Sequence, residues 1–215
     1  MITDTDRHDR NDGVLIAGAT LVAMFLMLHH PTSASHAGED GHLLSDWSNS
    51  LVHGAMIACL IALSVGLDGV RRRLGERALL TRAGALLIGA GFLALSGAAV
   101  VNGFATARLA AQTADPAVHE AGGHVLWALN QSLTSLGSLL IAAGAAAWAP
   151  GLWRLGIMGK VSAALGVGMA GLAAWWNITD GGFGLTVAAT SLAVFALWSL
   201  SVAAVMMIRP RGDAE

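Results

Sequence analysis

All but one of the eight histidines gather at the ends of apolar segments that share one side of the chain. His29, His30, His36, His42, His53, His119 and His124 fall there, and only His8 does not. Neutral imidazole is the commonest transition-metal ligand. The same side carries Glu39, Asp40, Asp46, Asp115, Glu120 and Asp180 against Arg108 alone. An acidic, imidazole-rich surface with low-dielectric walls concentrates cations.

Helical spacing sharpens the pattern. Asp46, Ser50 and His53 stand at i, i+4 and i+7, one stripe on one helix face. At a rise of ~1.5 Å per residue, His53 lies roughly 9 Å below Trp47, inside the hydrocarbon region. His124, Gln131, Thr134 or Ser135, and Ser138 share a face of a later segment, with Asn102, Asn130, Asn177 and Asp180 nearby. Ionisable groups inside a membrane usually face the bundle interior or a wet cavity. These residues predict a polar pocket opening outward, with His53, His30 and His124 as ligands and Asp46, His29 and His119 in support. Copper, zinc, nickel or iron suits imidazole better than magnesium or calcium. A single b-type haem on His53 with His30 or His124 fits the same residues. Each position also has a plainer reading: a polar span end for His29 and His30, solvated loop for His36 and His42, an interhelical hydrogen bond for His53, helix entry for His124.

Several chemistries are disfavoured. His119-Glu120 followed by His124 has a gap of five with Gly122-Gly123 inside it, whereas a zinc-protease helix needs its histidines four apart. Cys59 is the single cysteine, so disulfide exchange has no pair to work with and the thiol reads as a small buried apolar group. Lys160, the single lysine, is at a span boundary, where a retinal Schiff base cannot form within the bundle. A base such as His53 has no marked nucleophile beside it, which leaves hydrolase or transferase chemistry unsupported. The run His30-Pro31 to Gly38-Glu39-Asp40-Gly41-His42 resembles the His-Pro and Asp-His signature of small nickel and cobalt permeases of the hydrogenase and urease accessory type. Here Gly41 separates Asp40 from His42, and the likeness spans this short run alone. The resemblance implies metal uptake.

The elements that must position these residues follow from composition. Hydrophobic residues make up 55% of the 215 and charged residues 12%, half of what a soluble domain carries. A net charge of −2 leaves no nucleic-acid footprint. The apolar residues form six runs, approximately 13–30, 47–67, 83–104, 124–149, 157–176 and 183–208. At roughly twenty residues per span, this predicts an all-α integral membrane protein, a six-span transmembrane helical bundle with no soluble domain. Residues 1–12 and 209–215 are left as tails. Asn11 and Asp12 read as the start of the first helix and Pro31 as its end. The acidic leader speaks against a cleaved signal peptide.

Arg7, Arg10, Arg71, Arg72, Arg73, Arg77, Arg82, Arg154, Lys160, Arg209 and Arg211 all fall on one side, leaving Arg108 opposite. The positive-inside rule then places both termini in the cytoplasm and the protein in the inner membrane. Trp47, Trp127, Trp175 and Trp176 are expected in an outer aromatic belt, Trp148 and Trp153 in an inner one. Gly89, Ser96 and Gly103 recur every seven residues, which predicts a close-packing face on the third span. The Arg71–Arg73 cluster reads as an anchor to the anionic inner leaflet. Two functions are expected from this: a membrane protein binding a transition metal or one haem at its outer mouth, or a metal-free membrane scaffold or assembly factor with membrane-protein partners. Spans five and six carry few polar groups in their inner halves, which weakens a permease.

Overall fold

The computed structural model describes residues 4–28, 42–179 and 185–208. These are helical with no strand among them. The helices are α1 (Asp4–Leu28), α2 (His42–Leu74), α3 (Leu79–Val100), α4 (Thr106–Gln112), α5 (Pro116–Leu152), α6 (Gly156–Thr179) and α7 (Leu185–Met207). A π-helical turn, Val101–Ala105, joins α3 to α4 without a break. Six rods are long and apolar enough to cross a membrane: Arg7–Leu28, Asn49–Leu74, Leu79–Gln112, Pro116–Leu152, Gly156–Thr179 and Thr186–Met207. Leu86, Leu93, Ile157 and Ile178 are among many large apolar side chains left exposed, as lipid contact allows. One end of the bundle carries Arg71–Arg73, Arg77, Arg82 and Arg154; the other carries His53, His119 and His124. They are called the arginine and histidine ends below.

Helix bounds differ from the apolar runs where a polar residue is helical without being buried in lipid. α1 starts at Asp4, so Asn11 and Asp12 lie inside it, and Asp12 pairs with Arg72 of α2 at 3.0 Å. The α3–α4 rod runs 34 residues and α5 runs 37. At 1.5 Å per residue these are roughly 50 and 55 Å long, against about 30 Å of hydrocarbon. Their excess forms a helical hairpin carrying Arg108, Asp115, His119 and Glu120. The Asp115 carboxylate accepts the Ala117 N–H at 2.9 Å, and Pro116 fills the first turn, so α5 begins eight residues before His124.

Each spanning helix packs on its neighbour in sequence, and α7 returns to α1, closing a ring. α3 and α5 make the most extensive contact, through reciprocal glycines. A Cβ on Gly144 would stand 2.7 Å from the Gly84 carbonyl oxygen, and one on Gly84 2.9 Å from that of Gly144. Gly91 and Gly137 repeat this at 2.8 and 2.9 Å. Without hydrophobic drive between helices in lipid, such backbone contact is what holds them together. The expected face of Gly89, Ser96 and Gly103 is corrected at Gly89, where an added Cβ would meet nothing within 4 Å, while Gly103 does pack closely, against His53 of α2. The face toward α5 is Gly84 and Gly91, and Gly84 is five residues' worth of helical turn from Gly89.

The ring is filled toward the arginine end by a stack of aromatic rings. Phe92 meets Phe195 edge-on at 6.2 Å, Phe195 lies 6.1 Å from Trp198, and Trp198 lies 6.4 Å from Trp148. Trp148 is buried and donates its indole N–H to the Thr81 carbonyl at 2.9 Å. It is a core residue, in correction of the expected aromatic belt. Trp153 is exposed near Lys160, and Trp127 and Trp175 are exposed as expected of lipid- or headgroup-facing rings. Cys59 is buried. Thr20 of α1 and Ser199 of α7, both buried, hydrogen-bond at 3.0 Å.

Candidate functional site

His53 is 5% exposed and faces the π-helical turn. Widening a helix to a π turn displaces carbonyls from the regular i to i−4 ladder. Here α2 supplies partners for them. Asn49 donates its amide to the Asn102 carbonyl at 3.1 Å, and the Ser50 hydroxyl donates to the Gly103 carbonyl at 2.6 Å. Thr106 donates to the Asn102 carbonyl from the other side. The ring of His53 completes the join: Nδ1 lies 2.9 Å from the Asn49 carbonyl and Nε2 3.1 Å from the Asn102 amide nitrogen. A carbonyl only accepts, so Nδ1 carries the proton and Nε2 accepts from Asn102. Gly103 lacks the Cβ that would collide with the His53 side chain.

Of the expected ligands, His29 and His30 lie outside the described residues, as does His36 and as do the side chains of His42 and Asp46. His119 and His124 are exposed. Among the described residues, no three His, Cys, Asp or Glu side chains form a group able to hold a metal ion. His53 is brought to Asn102 and Gly103; a metal on its Nε2 would have to displace the Asn102 amide. The contact with Asn102 was the part missed from sequence. Both residues are visible as polar interruptions of apolar runs, but nothing local marks a π turn between them.

His53→Ala should destabilise the protein by about 1–2 kcal/mol, because the Asn102 amide loses a buried partner. Asn102→Ala should cost a similar amount, with the double variant costing less than the sum. Denaturation in detergent micelles measures this, and strict additivity would show that the pair does not act as one.

The stripe on α5 does line space. Gln131, Ser132, Ser135 and Ser138, with Asn177 of α6 and Ser191 of α7, surround a cavity of about 430 Å³ at the histidine end. The Ser135 hydroxyl donates to the Asn177 Oδ1 at 2.8 Å, and the Asn177 amide donates to the Ala173 carbonyl at 2.8 Å. The Gln131 Oε1 is buried and has no hydrogen-bond partner among the described residues. A second cavity, about 170 Å³, lies within the ring and is walled by Met27, Met56, Leu95, Met169, Leu172 and Phe195 among others. Ser138, Ala173, Trp176 and Ser191 line both. Phe195 floors the inner cavity, with Phe92 and Trp198 packed against it. The arrangement is a polar vestibule leading to an apolar, adaptable chamber that ends at the aromatic stack.

No known protein family, curated protein or solved structure matches this chain.

Proposed function

We propose that the protein is a membrane-embedded binding protein for a small neutral amphiphile, taken up at the histidine end. The carrying observation is the shared wall of Ser138, Ala173, Trp176 and Ser191 between the polar and apolar cavities. Ligand sites are typically concave and mostly apolar, with a few convergent polar groups. The unpartnered Gln131 Oε1 selects a ligand bearing an O–H or N–H donor. The apolar part of the ligand would enter the methionine-walled chamber. The closed aromatic floor favours binding over conduction. Arginine placement supports a histidine end facing outward from the inner membrane, with both termini cytoplasmic.

The test is to purify the protein in mild detergent without a polyhistidine tag. Its co-purifying small molecules are then identified by mass spectrometry and its metals by elemental analysis. An alkylated hydroquinone serves as the added probe, read by tryptophan fluorescence through Trp176. We expect a near-stoichiometric neutral amphiphile or saturable probe uptake, weakened about tenfold or more in Ser191→Phe, a loss of at least 1.4 kcal/mol. Equal uptake by the variant would sink the reading. Near-stoichiometric copper, zinc, nickel or iron with no amphiphile would overturn it in favour of the histidine ligands. Neither ligand nor metal would leave the scaffold.

A further inference from the structure

Near the arginine end, α2 and α3 flank a lateral groove of about 460 Å³. Ser64, Asp68 and Arg71 line it from α2, and Arg82, Leu86 and Gly89 from α3. Leu67, Ile88, Phe92 and Trp148 form its back wall. Arg82, Leu86, Gly89 and Leu93 lie at i, i+4, i+7 and i+11, one exposed face of α3. The groove is thus cationic at its mouth and apolar along its length. Gly89, with nothing within 4 Å of where a Cβ would stand, keeps its middle open.

The charges at the mouth do not cancel. Asp68 is held by both Arg71, at 2.7 Å, and Arg72. Arg71 also stands 3.8 Å from Glu76. Arg82 pairs with no carboxylate among the described residues. A guanidinium at the end of a spanning helix, above an apolar channel, is matched by a phosphate with a hydrocarbon chain attached. From Arg82 to Leu93 is roughly 16 Å along the helix, about half the hydrocarbon thickness of a bilayer. One lipid leaflet has the same depth. The groove shares no lining residue with the two histidine-end cavities.

We propose that the α2–α3 groove binds an anionic glycerophospholipid, its phosphate between Arg82 and Arg71 and one acyl chain running past Gly89. The Arg71–Asp68 pair then acts as a positioning contact, holding Arg71 at the mouth while Arg82 carries the uncompensated charge. A zwitterionic lipid fits the channel but offsets its own phosphate with a choline, so headgroup charge sets the preference.

The test uses the full chain in detergent micelles, with phosphatidylglycerol, phosphatidylcholine or inorganic phosphate added, read by native mass spectrometry and melting temperature. Phosphatidylglycerol should bind about tenfold more tightly than phosphatidylcholine. Arg82→Gln should remove that preference while leaving the lipid-free melting temperature unchanged. Gly89→Leu should weaken both lipids while leaving every charge in place. Neither site is packed, so both variants fold. Retained preference in Arg82→Gln, or undiminished lipid binding in Gly89→Leu, would overturn the proposal. Inorganic phosphate reproducing the full stabilisation would assign the mouth to a free anion instead. A dimer lost in Gly89→Leu without any lipid dependence would assign the groove to a second copy of the chain.

Discussion

Gly144→Val should destabilise the protein by about 3 kcal/mol or more, the upper end of what overpacking costs. Its Cβ would lie 2.7 Å from the Gly84 carbonyl oxygen and close to Ile88. The clash is with backbone, so no rotamer relieves it, and α3 and α5 must separate. Separation also pulls Gly91 from Gly137, because both pairs lie on the same two rods. Gly91→Val should behave alike. Gly89→Val, on the same helix but facing open space, should be neutral or slightly stabilising, since valine is the better helix former by roughly 0.3 kcal/mol. Denaturant titration of the three variants in one detergent makes the comparison. Equal stability of Gly144→Val and Gly89→Val would refute the glycine interface.

Arg73→Ala is expected to cost about 2–3 kcal/mol, the range for charge-assisted hydrogen bonds that leave a buried partner behind. The Arg73 side chain is 14% exposed and lies 3.6 Å from Asp9 of α1. It donates to the Val205 carbonyl at 2.8 Å, and to those of Met206 and Ile208 at 3.4 Å. The last carbonyls of a helix have no partners of their own and carry the negative end of its dipole. One guanidinium thus ties α2 to the end of α7 and to α1, where the ring closes. Arg73→Lys should recover only part of the loss, since an ammonium is a single point of charge without the planar fork. Arg77→Ala, exposed on the following turn, should change stability by less than about 0.5 kcal/mol. If Arg73→Ala matched Arg77→Ala, the cluster would serve charge asymmetry alone.

These two expectations show where the sequence was legible. The arginine cluster was visible as a positive-inside signal, but that signal treats Arg71, Arg72 and Arg73 as equivalent. They are not: Arg73 turns inward to α7, Arg72 reaches Asp12, and Arg71 faces the α2–α3 groove. Successive residues on a helix point about 100° apart, so three adjacent arginines meet three different neighbours. Glycine was also visible as a packing signal, yet several seven-residue spacings fit α3. Choosing Gly84 and Gly91 over Gly89 for the α5 face needs the rotation of the helix, which local sequence does not contain.

The candidate site divides the same way. Gln131, Ser135 and Ser138 were read as one face of a helix, and they line one cavity. The sequence leaves His53 with two readings, a ligand of an outward pocket or an interhelical hydrogen bond, and only the structure shows Asn102 of the π turn as its partner. The hydropathy run starts the fourth span at His124, whereas α5 begins at Pro116 behind the Asp115 cap, because a polar first turn adds no apolar signal.

Composition and hydropathy by themselves determined that the chain is an all-helical, multi-pass membrane protein with six spans, because lipid acts on each segment separately. An apolar run of sufficient length must satisfy its own backbone as a helix, whatever its neighbours are. Only the tertiary structure decided which faces meet: the glycines of α3 against those of α5, His53 against Asn102, Arg73 against the end of α7, and the two cavities against one shared wall. In lipid those pairings arise from shape and hydrogen bonding between helices, which depend on residues far apart in the chain and on rotations that no single segment encodes.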